Sequence, residues 1–305
     1  MRLDDLDPSK NVRDQGRGGG RRFGGGGGGG GGGLGLLLSF LPMLLGRKMG
    51  CGTILLIGGA ALAFMYFSGG GLQLAGSGGG GSQAQSSGAN VACDTAEEMF
   101  ACQVLASTEQ TWSKLFQQQG QRYTPTTLTF YDQSGQSGCG AAQAAMGPFY
   151  CPADQGVYLD TSFFREMSTR MGAKGDFAQA YVIAHEVGHH IQNLSGVADQ
   201  VRNAQRTASK TEGNSLQVRM ELQADCYAGV WAAQNASRME AGDVEEGLNA
   251  AHAIGDDTLM RGAGQRPVES MFTHGSSEQR MAWLRKGMQT GDPASCDTFA
   301  RGAVR

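Results

Sequence analysis

The sequence predicts a helix-dominant α+β domain with a small β-sheet over residues 93–305. A disordered Gly-rich N-terminus and one transmembrane helix are expected to precede it. Three observations predict this arrangement. Glycine is concentrated at one end: 28 of the 50 glycines fall in residues 1–82, and the remainder carries an ordinary share. One run, Met49 to Phe67, holds no charge. Beyond residue 93, five or six segments of helical period stand against a few short strand-like ones.

Residues 1–48 hold eight Lys or Arg against four Asp, and Gly24 to Gly33 is an unbroken glycine run. Such a segment is flexible and has too little apolar surface to form a core. Met49 to Phe67 (MGCGTILLIGGAALAFMYF) approaches the roughly 20 residues needed to span hydrocarbon. Arg47 and Lys48 precede it, so the positive-inside rule places residues 1–48 in the cytoplasm and the body in the periplasm or outside the cell. A cleaved signal peptide fits poorly, because the basic head is too long. The apolar run Leu34 to Leu45 contains Pro42 and is short for a span. It reads as interfacial or as part of the anchor; the alternative is a two-span hairpin, which would put the body back in the cytoplasm. Residues 68–92 form a second Gly/Ser/Gln-rich linker.

The composition excludes several classes. The glycine runs have no three-residue period, so collagen is out. The net charge is −3 with no basic cluster in the body, so no nucleic-acid partner is expected. Apolar residues make up 40%, too many for a wholly disordered chain. Of seven cysteines, Cys51 lies in the apolar run and six lie in the body, an even number that suits an oxidising compartment. Six cysteines allow 15 pairings. One of these joins Cys139 to Cys151, Cys93 to Cys102 and Cys226 to Cys296. No C-x₂₋₄-C pair suggests a zinc ribbon.

Within the body, Thr95 and Glu98 resemble a capping box opening a helix to about Gln119. Thr127–Tyr131 reads as a strand, Gly135–Asp154 as a small-residue loop, and Val157–Asp160 as a second strand. Asp160 or Thr161 caps a helix to about Met171. Phe177–Asn193 is a strongly apolar helix. Gly213 and Asn214 break the chain before a helix from Ser215 to about Asn235. Further helices are expected over about Asp243–Leu259 and from Ser276 or Ser277 to about Met288.

The helix over Phe177–Asn193 carries His185-Glu186-Val187-Gly188-His189. Residues four apart share a helix face, so His185 and His189 can offer two ring nitrogens to one metal. Glu186 sits beside that face, within reach of a metal-bound water, as a zinc hydrolase requires. A catalytic zinc needs a third protein ligand. Position 195 is Ser and position 192 is Gln, which excludes the extended motif with a third His. Downstream, Glu221 and Asp225 are again four apart on a largely apolar helix. Glu221 would complete a His₂Glu site, with Asp225 fixing the tautomer of His185. His190 points about 100° away from His189.

Three segments in order, AHEVGHHIQNLSG, ELQADCYAGVW and FTHGSSEQR, together with GPFYCPADQGVYLD, resemble the YpfJ-like neutral zinc metallopeptidases over nearly the whole chain. The wider pattern is similar to the gluzincins. The resemblance implies a zincin-like fold and one zinc per chain. It implies His185, His189 and Glu221 as ligands, Glu186 as general base and Asp225 behind them. By likeness to thermolysin-type enzymes, His274 is the candidate second donor to the developing oxyanion, with Arg280 as a weaker one. By analogy, the Val157–Asp160 strand would offer its edge to an extended peptide. The expected partners are a peptide or protein substrate and membrane lipid at the anchor. Two rival readings are a catalytically silent zinc-bound adaptor or assembly protein and a metal-free structural domain held by disulfides. Hydrolysis of a non-peptide amide is a nearer variant.

Overall fold

The computed structural model describes residues 1–17 and 92–304. The Gly24–Gly33 run, the Leu34–Leu45 and Met49–Phe67 runs and most of the second linker lie outside the described residues. Among the described residues no helix is long and apolar enough to cross a membrane.

Eight α-helices and six strands are described. Strand β1 (Val12–Arg17) is followed by α1 (Ala96–Gln118). The Thr95 hydroxyl accepts from the Glu98 N–H at 3.1 Å, while the Glu98 carboxylate accepts from Asp94 instead of closing the box on Thr95. Next come β2 (Thr127–Asp132), β3 (Ser134–Ser137), β4 (Gly140–Gln143), β5 (Phe149–Cys151) and β6 (Gly156–Leu159). The helices α2 (Ser162–Arg170), α3 (Asp176–Leu194), α4 (Val197–Gln205) and α5 (Lys210–Gln234) follow. The chain ends with α6 (Asp243–Ala253), α7 (Asp256–Gly262) and α8 (Ser277–Thr290).

Several expectations are corrected. Gly213 and Asn214 do not break the chain: α5 begins at Lys210, where Ser209 and Glu212 form a reciprocal capping box. The segment over 243–259 is two helices, because Gly255 leaves helical geometry where it packs against the start of α8. A Cβ there would lie 2.4 Å from the Ser277 nitrogen. The loop over 135–154 contains the β3–β4 hairpin and β5. Strand β6 has no free edge for substrate, since it pairs parallel with β2 over Gly156–Leu159 and antiparallel with β5 over Gly156–Tyr158.

The largest correction concerns residues 1–17, which do not form a detached tail. Strand β1 pairs parallel with β2, matching Val12 to Leu128, Arg13 to Thr129 and Asp14 to Phe130. Met1, Leu3 and Val12 are buried in the main core. The Ser9 hydroxyl and the Asn11 amide both donate to Glu109 Oε1 at 2.8 Å. The Met1 ammonium lies 2.8 Å from Asp176 and 3.1 Å from both Glu240 and Asp243. Burial pulls its pKa down, but these three carboxylates outweigh burial and push it up to about 10. Leu3 is 2% exposed. Leu3→Ala in the full chain is therefore expected to cost about 2–5 kcal/mol. A lower urea midpoint at unchanged slope would show it, and an unchanged midpoint would mean that the arm adds nothing to the fold.

The core is built on α3 and α5, with Tyr181, Ile183, Leu222 and Trp231 fully enclosed. Trp231 keeps its N–H satisfied by donating to Ser107 at 3.0 Å. Disulfides join Cys93 to Cys102, Cys139 to Cys151 and Cys226 to Cys296.

Candidate metal centre

Two close helix contacts assemble the site. Gly188 lies between His185 and His189 on α3, and Ala224 lies between Glu221 and Asp225 on α5. A Cβ on Gly188 would sit 3.0 Å from the Ala224 Cα and carbonyl oxygen, so the small pair lets the two backbones approach. Gly229 on α5 and Gly287 on α8 permit a similar contact. A Cβ on Gly287 would fall 2.0 Å from the Cys226 carbonyl oxygen. This second contact carries Arg280 onto Asp225.

His185, His189 and Glu221 could hold a metal ion, since one ligand atom of each lies within 4.8 Å of the others. His185 Nε2 is 3.2 Å and His189 Nε2 is 3.5 Å from Glu221 Oε2. The second atom of each donor is tied back. His185 Nδ1 is 2.8 Å from Asp225 Oδ1, and His189 Nδ1 is 2.8 Å from Gln192 Oε1. Glu221 Oε1 accepts from the Gln217 amide at 2.8 Å. Gln192 donates through Nε2 to the Met220 carbonyl, which fixes its oxygen towards His189. Both Nδ1 atoms thus act as donors, and both Nε2 atoms face the same carboxylate oxygen. Two imidazoles and one carboxylate, each held from behind, are a donor set that fits zinc.

Asp225 has no solvent exposure and is fully engaged. Arg280 reaches it with Nε and Nη2, both at 2.9 Å, and the Tyr181 hydroxyl donates to it at 2.6 Å. Burial pushes the Asp225 carboxyl up, but Arg280 and then His185 pull it further down, to about 2. Arg280 therefore stands behind the site, bound to Asp225, and its Nη1 also donates at 3.3 Å to the carbonyl of Ile254, the C-terminal cap of α6. Burial likewise raises Glu221, and His189 and His185 outweigh it, holding that carboxyl well below the usual range.

Glu186 differs from both. It is 8% exposed, and among the described residues no protein group hydrogen-bonds its carboxylate. Burial raises its pKa against the pull of His185 and His189. A carboxylate poised upward beside metal donors suits proton transfer near neutral pH.

His274 sits in a braced turn. One Asp256 oxygen accepts the N–H groups of Thr273 and His274 at 2.7 Å and of Gly275 at 3.0 Å. Its Nδ1 lies 3.1 Å from the Thr273 hydroxyl, and its side chain is half exposed. Burial pulls the His274 pKa down, but Asp256 and then Glu221 outweigh it and raise it. His190 faces away, between the Tyr150 hydroxyl and the Thr124 carbonyl.

Sequence reading missed Tyr181, Gln192 and Gln217. Two of the three had a usable signal: Tyr181 is four residues before His185 and Gln217 four before Glu221, on the faces already singled out. Gln192, three after His189, stands in the sequence only as a departure from the extended His motif.

Residues 1–299 match the family described as "Putative neutral zinc metallopeptidase". The chain belongs to this family. The zinc that the family implies has a fitting donor set here in His185, His189 and Glu221. YpfJ of Escherichia coli (strain K12) is 52% identical over 204 residues, covering 66% of this chain and 71% of YpfJ. Rv2575 of Mycobacterium tuberculosis (strain ATCC 25618 / H37Rv) is 40% identical over 221 residues, 67% of this chain and 72% of its own. Both relatives are described as uncharacterized. No solved structure matches the chain.

Proposed function

We propose that this chain is a membrane-anchored zinc peptidase. In this reading His185, His189 and Glu221 hold one zinc, and Glu186 serves as general base and acid. The observation that carries the reading is the convergence of both Nε2 atoms on Glu221 Oε2, with a buried Glu186 alongside that makes no hydrogen bond to any described residue. Zinc bound there supplies Lewis acidity to a water and to the scissile carbonyl.

The chain's own residues do the rest. A Glu186 carboxylate oxygen takes the proton of the attacking water and returns it to the leaving amine. Asp225 keeps the proton of His185 on Nδ1, and Gln192 does the same for His189, so neither ring turns during turnover. His274 donates to the carbonyl oxygen as negative charge develops on it. Met49–Phe67 holds the chain at the lipid, with the body outside the cytoplasm, and the substrate is a peptide or protein.

Metal removal tests the reading. The full-length protein in detergent is expected to cleave denatured casein. Dialysis against 1,10-phenanthroline should abolish cleavage, and stoichiometric zinc should restore it. Tightly bound zinc with no cleavage of any denatured protein would instead favour the silent adaptor.

A further inference from the structure

The orientation expected from charge alone puts residues 1–48 and the body on opposite faces of a membrane. The fold puts Met1–Arg17 inside the body. Strand β1 hydrogen-bonds along β2, and the Leu128 N–H donates to the Asn11 carbonyl at 2.9 Å. The Ser9 N–H donates to the Cys102 carbonyl at 3.1 Å, and the Arg2 N–H to the Arg238 carbonyl at 2.8 Å. Arg238 also pairs with Asp5. Contacts to β2, α1 and the turn after α5 cannot form across about 30 Å of hydrocarbon.

We propose that the N-terminal arm and the disulfide-bonded body share the non-cytoplasmic face, an inference that rests on the membrane-anchored reading. The charge pattern fits this placement. Between Arg22 and Asp94 the sequence holds only two charged residues, Arg47 and Lys48, and they are adjacent. They separate two uncharged stretches, Phe23–Gly46 and Met49–Cys93. The first contains the apolar run Leu34–Leu45 and the second the run Met49–Phe67. A basic pair between two uncharged stretches favours the cytoplasmic side under the positive-inside rule, with arm and body leading away from it in both directions. Three disulfides place the body where thiols are oxidised. The basic residues of the arm weigh the other way under the same rule. The paired strand decides against them, because β1 reaches β2 only from the side on which β2 lies.

The test is thiol labelling of the full-length chain in spheroplasts with a membrane-impermeant maleimide. Cys51→Ser removes the one cysteine outside the disulfides. Lys10→Cys reports on the arm and Lys210→Cys on the body, both at exposed positions. Asp4→Cys is a second, independent arm reporter, also exposed. Arm and body reporters are expected to label before lysis to within about twofold of the detergent-lysed level. Arm reporters that rise tenfold on lysis, while Lys210→Cys does not, would overturn the shared face. A tenfold rise at all three positions would overturn its non-cytoplasmic assignment.

Discussion

Glu186→Gln is expected to lower turnover by about 10²–10⁴-fold while leaving the zinc content unchanged. The substitution keeps the shape of a side chain that is 8% exposed and removes only its ability to carry a proton. No hydrogen bond to a described residue is lost, because the carboxylate makes none. The fold therefore has little reason to respond, and the effect isolates chemistry from packing. The measurement is single-turnover cleavage of a fluorogenic peptide, with metal analysis on the same samples. Wild-type turnover in the zinc-loaded variant would remove Glu186 from the mechanism.

Arg280→Met is expected to have the largest effect on stability. Arg280 is 2% exposed and grips a carboxylate that has no exposure at all. Removing one member of such a pair leaves a buried charge with fewer partners, at a cost of about 3–5 kcal/mol. Asp225 would keep Tyr181 and His185 but lose both guanidinium hydrogen bonds. Its hold on the His185 ring would loosen, so zinc affinity should fall about 10–100-fold. Arg280→Lys keeps the charge and loses the fork, so it should lie between. Urea unfolding and competition with a chromophoric chelator read the two effects separately. Wild-type values in both would mean that Arg280 supports neither the fold nor the site.

The two helices that carry the donors were legible because each is a long apolar run in which titratable residues recur four apart. His185 with His189, and Glu221 with Asp225, announce two faces, and the spacing alone says that each pair looks one way. What the sequence conceals is how those faces meet. Arg280 lies 55 residues beyond Asp225, and no local pattern joins them. The contact depends on Gly229 and Gly287, which read in isolation as helix-weakening residues. Gly213 misled for the same reason: a penalty of about 1 kcal/mol is outweighed by the Ser209–Glu212 cap and by tertiary packing. The β3–β4 hairpin is built from Ser, Gly, Gln and Ala, without the alternation that signals a half-buried strand. The N-terminal arm was the least legible element. Met1, Leu3 and Val12 follow no period within a polar, charged sequence, and only tertiary packing makes them core residues.

The most direct test of the metal centre is the zinc content of the purified full-length chain, prepared without chelators and measured by elemental analysis beside Glu221→Ala. The expected result is about one zinc per wild-type chain and loss of that zinc in the variant, because Glu221 supplies one of three protein donors. A zinc-free wild type, or a Glu221→Ala chain that keeps its zinc as tightly, would contradict the His185, His189 and Glu221 site.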